Sequence, residues 1–505
     1  MSRSKILLIS GLIFISSLLI RTYHLDNSMV FVGDQEYQST YAMTLVKDFH
    51  PIWIGVSAAH TGFYLGPLFT YFTAFWLFLS SGDPIITGYV AAFIGSIVSV
   101  LIFLFIMEIS NKPLVAFLSS LVYSFSPLMI FYDRVYWNPM PLPVLTIGLL
   151  YCLYKAIKGK KIFWILYFFL FALVLHTHLS ILPLGLLGLY YIVRLRRDVG
   201  VKFILLSFLG FLLLYSPLIV FDLNHNFSNL TTPFRFRQIV NGSASKINVI
   251  YHLDSLNETL GRFWFLNIGG NESDEVLFDC GQKTVFGRGS DILLYSDRTS
   301  PKWYMSLPLT FAILIFFINK RSYRDLGRRM ILQFFIIILI SFLFFPGGAF
   351  EFYLLGIFPI LAIMVGYLAD SNKRYIKYAV VIFTVIISTR GVFVVVNAKD
   401  DFGIKAKKDM VIQASSIIKN GSFEIFQNGR CHNYEGFRYL FKVYGKTPDR
   451  SSTDNNFGWL YPDEINLGPV DYKVIIQENR VPFGSGSNLY REITSGGFSA
   501  LIYKN

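Results

Sequence analysis

Apolar runs separated by short polar joints fill most of this chain. The first, Met1 to Arg21, has Arg3 and Lys5 ahead of it and no small-residue cleavage site behind it. That pattern predicts an uncleaved first span with its N-terminus in the cytoplasm. Further runs cover residues 62–80, 85–107, 113–130, 140–157, 162–176, 179–193, 203–221, 303–318, 330–345, 352–369 and 376–396. Most approach the ~20 residues a helix needs to cross a bilayer. The expected fold is therefore an α-helical polytopic membrane protein with about 11–13 transmembrane helices, residues 1–396 forming the membrane domain. After residue 397 the pattern changes. Gly, Ser and Asn become frequent, and strand-like pieces such as Tyr472-Lys473-Val474-Ile475-Ile476 appear. A small α/β domain outside the membrane is expected over 397–505.

Composition agrees with this. Of 505 residues 53% are hydrophobic and 15% charged, with a mean hydropathy of +0.50. A soluble protein carries roughly 25% charged residues. The net charge of +13 would suggest nucleic acid in a soluble chain. Here the basic residues crowd into Lys158-Gly159-Lys160-Lys161, Arg194 to Lys202, Lys320 to Arg329 and Lys373 to Lys377. Those are short joints between spans, where cytoplasmic loops collect cations, so no nucleic-acid partner is expected.

Placing these four loops inside puts residues 222–301, the tail after 397 and the joints 132–138, 176–178 and 346–351 outside. Tracing back from residue 158 then puts Ser81-Gly82-Asp83-Pro84 on the outer side too, together with Asp34. Residues 62–80 consequently lie along the outer surface or re-enter, and the first outer loop covers 22–84. The competing reading is an ordinary span at 62–80. The protein is expected in the plasma membrane, its C-terminal domain extracytoplasmic. Five Asn-x-Ser/Thr sequons, at Asn226, Asn229, Asn241, Asn257 and Asn271, fall in the large outer loop. The three cysteines have no metal spacing. Cys152 reads as a core residue, and Cys280 and Cys431 pair only if both are outside.

Phosphate-cradling loops, nucleophile elbows and His-x-x-x-His pairs are missing, which leaves soluble-nucleotide chemistry unsupported. The polar outliers gather instead on the outer side: Asp34, Gln35, Glu36, His60, Asp133, Arg134, Trp137, Asn138, His176, His178, Asp222, His225, Glu351 and Tyr353. Asp34 and Glu36 would share a face in an extended loop but not in a helix. A carboxylate there can take a proton from an attacking hydroxyl or amine, or ligate a metal. The Arg134 guanidinium suits a phosphate, unless it and Asp133 serve structural pairs. His176 and His178, two apart, point to opposite faces of a helix, so they do not share a metal; one is expected to contact substrate and the other to be a hydrogen-bonded packing residue. Glu351 and Tyr353 follow Pro346-Gly347-Gly348 and are placed to face an outer cavity.

Several segments together resemble the GT-C membrane glycosyltransferases, family 39 type, which includes the protein O-mannosyltransferases and aminoarabinose transferases. They are Arg21-Thr22-Tyr23-His24-Leu25 and Gly33-Asp34-Gln35-Glu36, then Gly62-Phe63-Tyr64-Leu65-Gly66-Pro67-Leu68. After these come Ser126-Pro127, Tyr132-Asp133-Arg134, Trp137-Asn138-Pro139, Ser216-Pro217 and Asp222-Leu223-Asn224-His225. The resemblance covers roughly residues 5–370 and is similar to the prokaryotic branch of that type. It implies an inverting transfer from a polyprenyl-phosphate sugar, with Asp34 as general base or acceptor-orienting group. The usual Glu after that Asp is Gln35 here, with an acid displaced to Glu36. Arg134 and then His60 are the implied cations for the departing lipid phosphate. Gln35, Glu36, Tyr64, Trp137, Asn138, His176, His178, Asp222, His225, Glu351 and Tyr353 complete the expected substrate-binding set.

The implied partners are the polyprenyl-phosphate-linked sugar, a lipid, glycan or protein acceptor, and membrane lipids. No cofactor is required, with a divalent metal near Asp34 and Glu36 as an alternative. Two rival readings use the same kind of lipid-linked substrate: a transporter or flippase, and an oligosaccharide polymerase or ligase. The first calls for central charges and related halves, which the spans do not show.

Overall fold

The computed structural model describes residues 1–57, 62–232, 248–266, 302–345, 348–397, 403–428, 436–478 and 489–505. Its helices follow the apolar runs closely. The first half contains α1 (Arg3–Thr22), α2 (Leu25–Ser28), α3 (Gly33–Lys47), α4 (Leu68–Leu79), α5 (Ile85–Ser110) and α6 (Pro113–Ser124). After them come α7 (Pro127–Tyr132), α8 (Leu142–Ile157), α9 (Ile162–Val174), α10 (Leu184–Arg194), α11 (Arg196–Val199) and α12 (Val201–Asn224). The second half contains α13 (Val249–Trp264), α14 (Leu307–Ile318), α15 (Arg321–Arg324), α16 (Leu326–Leu343), α17 (Phe358–Leu368) and α18 (Arg374–Asn397).

Five of these are long and apolar enough to cross a membrane: α1, α5, α12, α16 and α18. Seven further apolar helical stretches among the described residues are shorter, at 10–17 residues. Local chemistry explains several breaks. The 113–130 run splits because Ser126 caps a new helix, its Oγ accepting from the Met129 N–H, with Pro127 in the first turn. The 352–369 run likewise opens as a 3-10 turn, Glu351–Leu354, before α17 starts with Pro359 in its first turn.

The membrane-type core is continuous. Val98, Ile102 and Ile106 of α5 meet Leu149 and Leu153 of α8, Ile331 and Phe335 of α16 and Leu361 and Val365 of α17, all buried. At the periphery α12 keeps Leu205, Phe208, Leu209 and Leu213 exposed, an outward face that only lipid covers favourably. On the basic side, Asp370 accepts from Lys112 and Arg328.

The C-terminal region holds α19 (Ile404–Ile418), α20 (Phe437–Tyr444), α21 (Asp454–Phe457) and five strands. These are β1 (Phe423–Asn428), β2 (Arg450–Ser451), β3 (Tyr472–Glu478), β4 (Leu489–Ser495) and β5 (Phe498–Lys504). The sheet order is β2-β1-β3-β5-β4, with β1 parallel to both neighbours and β3-β5-β4 antiparallel. Its core is shared with the other end of the chain. Leu25, Met29 and Phe31 pack in one buried cluster with Ile404, Met410, Phe437, Leu440, Ile476 and Phe498.

Candidate active site

Residues 33–47, read from sequence as the opening of a loop, form the helix α3. Gln35 sets its start: its Oε1 accepts from the Val32 N–H at 3.1 Å, and the side chain is buried. The helix gives the two acids different directions. Asp34 in the first turn is exposed, whereas Glu36 is 2% exposed. The Glu36 carboxylate accepts from the backbone N–H of Gly436 and of Tyr439, each at 3.0 Å. It caps α20 from outside, which corrects its place in the substrate-binding set. Both Glu36 oxygens serve that cap, so Asp34 and Glu36 do not present one chelating face.

The segment before α3 is gripped by the C-terminal region. Ile404 N–H donates to Met29 O at 2.9 Å, and the buried Lys407 Nζ donates to Phe31 O at 2.7 Å. Tyr439 Oη donates to Gly82 O, and Tyr444 Oη to Asp83 Oδ1. Gly436 is needed here. Its φ of 91° lies in the left-handed region, and a Cβ would sit 2.6 Å from Phe31 O.

Helix α4 packs along α3. Gln38 Nε2 donates to Thr70 Oγ1 (3.3 Å) and Thr73 Oγ1 (3.1 Å), and Thr73 is bonded to Tyr136 Oη at 2.9 Å. Just before α4, Gly66 passes against the His176 ring, where a Cβ would come 1.9 Å from Nδ1. His176 is 1% exposed, its Nδ1 accepting from the Leu68 N–H and its Nε2 facing Leu214 O. It is a hydrogen-bonded packing residue, the role expected of one of the two histidines. Tyr64 is half-buried and its ring meets Phe221. Its backbone is held by Asn229, whose side chain accepts from Tyr64 N–H at 2.6 Å and donates to Tyr64 O at 3.1 Å. Asn229 is in turn set by Asp222, whose Oδ1 accepts from the Asn229 N–H. Asp222 is therefore a buried turn cap, which corrects its place in the substrate-binding set, and the Asn229 sequon is closed to glycan attachment in this fold. His225 stacks on Phe221 at 4.1 Å.

The other charged candidates are internal. Arg134 is 2% exposed and donates to Ser28 Oγ, Ile20 O and Tyr23 O, which corrects the phosphate-binding expectation. Asp133 pairs with Arg21, whose Nε donates at 2.9 Å, and Gly95 leaves room for that carboxylate. Glu351 is fully buried, accepting from Tyr132 Oη, Thr259 Oγ1 and Arg262. The expectation that it faces an open cavity is thereby corrected. Around this pair Trp137 lies 5.0 Å from Phe352, and His178 lies 5.6 Å from Phe352 and 5.3 Å from Tyr353. The half-buried Asn138 follows Trp137. His60, Cys280, Cys431, Asn241, Asn271, Pro346 and Gly347 lie outside the described residues. Cys152 is a buried free thiol, as expected. No group of three or more His, Cys, Asp or Glu side chains among the described residues is arranged to hold a metal.

Sequence reading missed Tyr37 and Tyr41, one and two turns after Asp34. Their rings are nearly parallel at 6.4 Å, and burial, with the nearby Tyr64 phenol, pushes the Tyr37 hydroxyl up to about 12. A helical reading of 33–47 would have placed both on the face that carries Asp34.

No known family profile matches the sequence, and no curated protein matches it. In fold the chain is similar to ArnT from Cupriavidus metallidurans bound to undecaprenyl phosphate. The TM-score is 0.62 at 10% identity, over 99% of this chain and 98% of that one. The apo state of the same ArnT gives 0.57, also at 10% identity and with the same coverage. The likeness extends through the C-terminal region. It shows an ArnT-like fold, mostly helical, with a small mixed sheet near its end.

Proposed function

We propose that this chain is an inverting glycosyltransferase of the family 39 type. It moves a sugar from a polyprenyl-phosphate donor to an acceptor on the extracytoplasmic side, and Asp34 is its general base. One observation carries the choice of residue. Of the five acids singled out near the outer span ends, Asp34 alone is exposed, while Glu36, Asp133, Asp222 and Glu351 are buried. The shared fold with an ArnT solved with undecaprenyl phosphate supports a lipid-phosphate ligand.

In this reading the acceptor hydroxyl or amine gives its proton to the Asp34 carboxylate as it attacks the anomeric carbon. The bond from that carbon to the phosphate oxygen breaks on the opposite face, and the polyprenyl phosphate leaves with the electron pair. The lipid stays in the bilayer throughout, so the site must stand at the interface. Helix α4, 12 residues and about 18 Å long, lies at the outer surface beside α3 and walls the donor's approach. With Arg134 internal, His60 is the cation proposed to meet the departing phosphate. The N-terminus is cytoplasmic and the sheet region extracytoplasmic. No cofactor is required in this reading, and Glu36, turned away from Asp34, does not share a metal with it.

Asp34→Asn tests the assignment in membranes supplied with labelled polyprenyl-phosphate sugar. Transfer is expected to fall by roughly 100-fold or more, the usual size of a lost general base, at an unchanged melting temperature. Wild-type transfer in that variant would end the assignment.

A further inference from the structure

The face of α3 that carries Asp34 continues into an aromatic platform completed by the C-terminal region. Phe457, Tyr37 and Tyr41 lie nearly parallel: Tyr37 is 5.2 Å from Phe457 at 8° and 6.4 Å from Tyr41 at 9°. The Trp459 ring stands across their edges, 6.4 Å from Tyr37 and 6.2 Å from Tyr41. Trp459 is 62% exposed, a large uncovered ring on the sheet-containing region. Asn455 and Asn456, in the short helix α21 that precedes it, are exposed. Tyr37 is one turn from Asp34, so the platform begins about 5–6 Å from the acid, side chain to side chain.

An open ring with exposed amides close by in the chain matches one ligand chemistry. The axial C–H face of a pyranose packs on an aromatic ring, while its equatorial hydroxyls bond to amides at the rim. An acyl chain would leave the two Asn amides unsatisfied on burial. We infer that Tyr37, Tyr41, Phe457 and Trp459, with Asn455 and Asn456, form a saccharide-binding platform that seats the acceptor beside Asp34. The word acceptor rests on the proposed transfer reaction. Saccharide binding does not, so the two readings are separable.

The full-length protein in phosphatidylcholine nanodiscs is probed on an array of microbial surface saccharides. The best soluble oligosaccharide is then titrated calorimetrically. Trp459→Ala and the double variant Asn455→Ala/Asn456→Ala are each expected to weaken binding at least roughly ten-fold, the loss typical of a central aromatic or polar anchor. Trp459→Tyr keeps a ring at the site and should retain most of the affinity. Unchanged melting curves establish that the variants are folded. Asp34→Asn should bind the saccharide like wild type even where it abolishes transfer, so failure of the base assignment leaves this result standing. Three results would overturn the platform: no saccharide bound by the wild type, equal binding by Trp459→Ala, or a Trp459-dependent response to phosphatidylglycerol vesicles with none to saccharides.

Discussion

Arg134 donates to the carbonyls of Ile20 and Tyr23 and to Ser28 Oγ, all on the turn that leads from α1 towards α3. Truncating it strands those acceptors and removes a fork that a lysine cannot reproduce. Arg134→Ala is expected to cost about 3 kcal/mol, with little recovery in Arg134→Lys, measured by thermal unfolding in detergent. Transfer per folded molecule should be nearly unchanged, which distinguishes a staple from a phosphate ligand. The sequence alone could not make this distinction. An Arg beside an Asp between two apolar runs fits either role, and its partners lie more than 100 residues away. Asp34 differs because its exposure in the first turn of a polar helix follows from local sequence once that helix is recognised.

At the scale of elements, the apolar runs were legible because each must bury or lipidate a full helical surface, whatever its neighbours. Helix α3 was not, since its polar composition lacks a clean apolar stripe and its stability comes from α4 and α20. Carboxylates make the contacts to α20, Glu36 at its start and Glu464 further along. Glu464, in the 3-10 turn Pro462–Glu464, bonds Lys47 of α3 at 3.0 Å and Lys442 of α20 at 2.5 Å. Burial pushes the Glu464 carboxyl up, but the Lys442 and Lys47 ammonium groups outweigh it and hold it below the usual range. A carboxyl lowered on folding adds stability above its unfolded value, near 4, and loses it as the pH falls through the lower folded value. Amide exchange in α20 should therefore speed up in acid below about pH 4, once intrinsic exchange rates are divided out. Glu464→Gln should already show fast exchange at neutral pH and lose most of that dependence.

For the whole molecule, the decisive feature is a hydrophobic cluster that joins residues 25–31 to the sheet region. Leu25, Met29 and Phe31 are each nearly fully buried, worth roughly 1.5–3 kcal/mol apiece. A chain ending before residue 404 leaves them bare. Such a truncation is expected to elute as aggregate on size exclusion in detergent and to melt earlier. A monodisperse peak with wild-type melting would show the two parts to be independent. Composition marked the change of character near residue 397 correctly, yet no periodicity in either segment announces that they share a core. Only contacts across the length of the chain carry that information.

The same cluster sets an order on biosynthesis. Lys407 reaches back 376 residues to Phe31, and the N–H groups of Gly436 and Tyr439 reach 400 and 403 residues back to Glu36. A ribosome adding ~5–20 residues per second takes some tens of seconds to cover that interval. Until it has, the loop bearing Asp34 has already left the first span without the contacts that fix its helix. A nascent chain, or one cut short by premature termination, therefore lacks the contacts that set the helix bearing Asp34, and a transferase of the proposed kind would become competent only when synthesis is nearly complete.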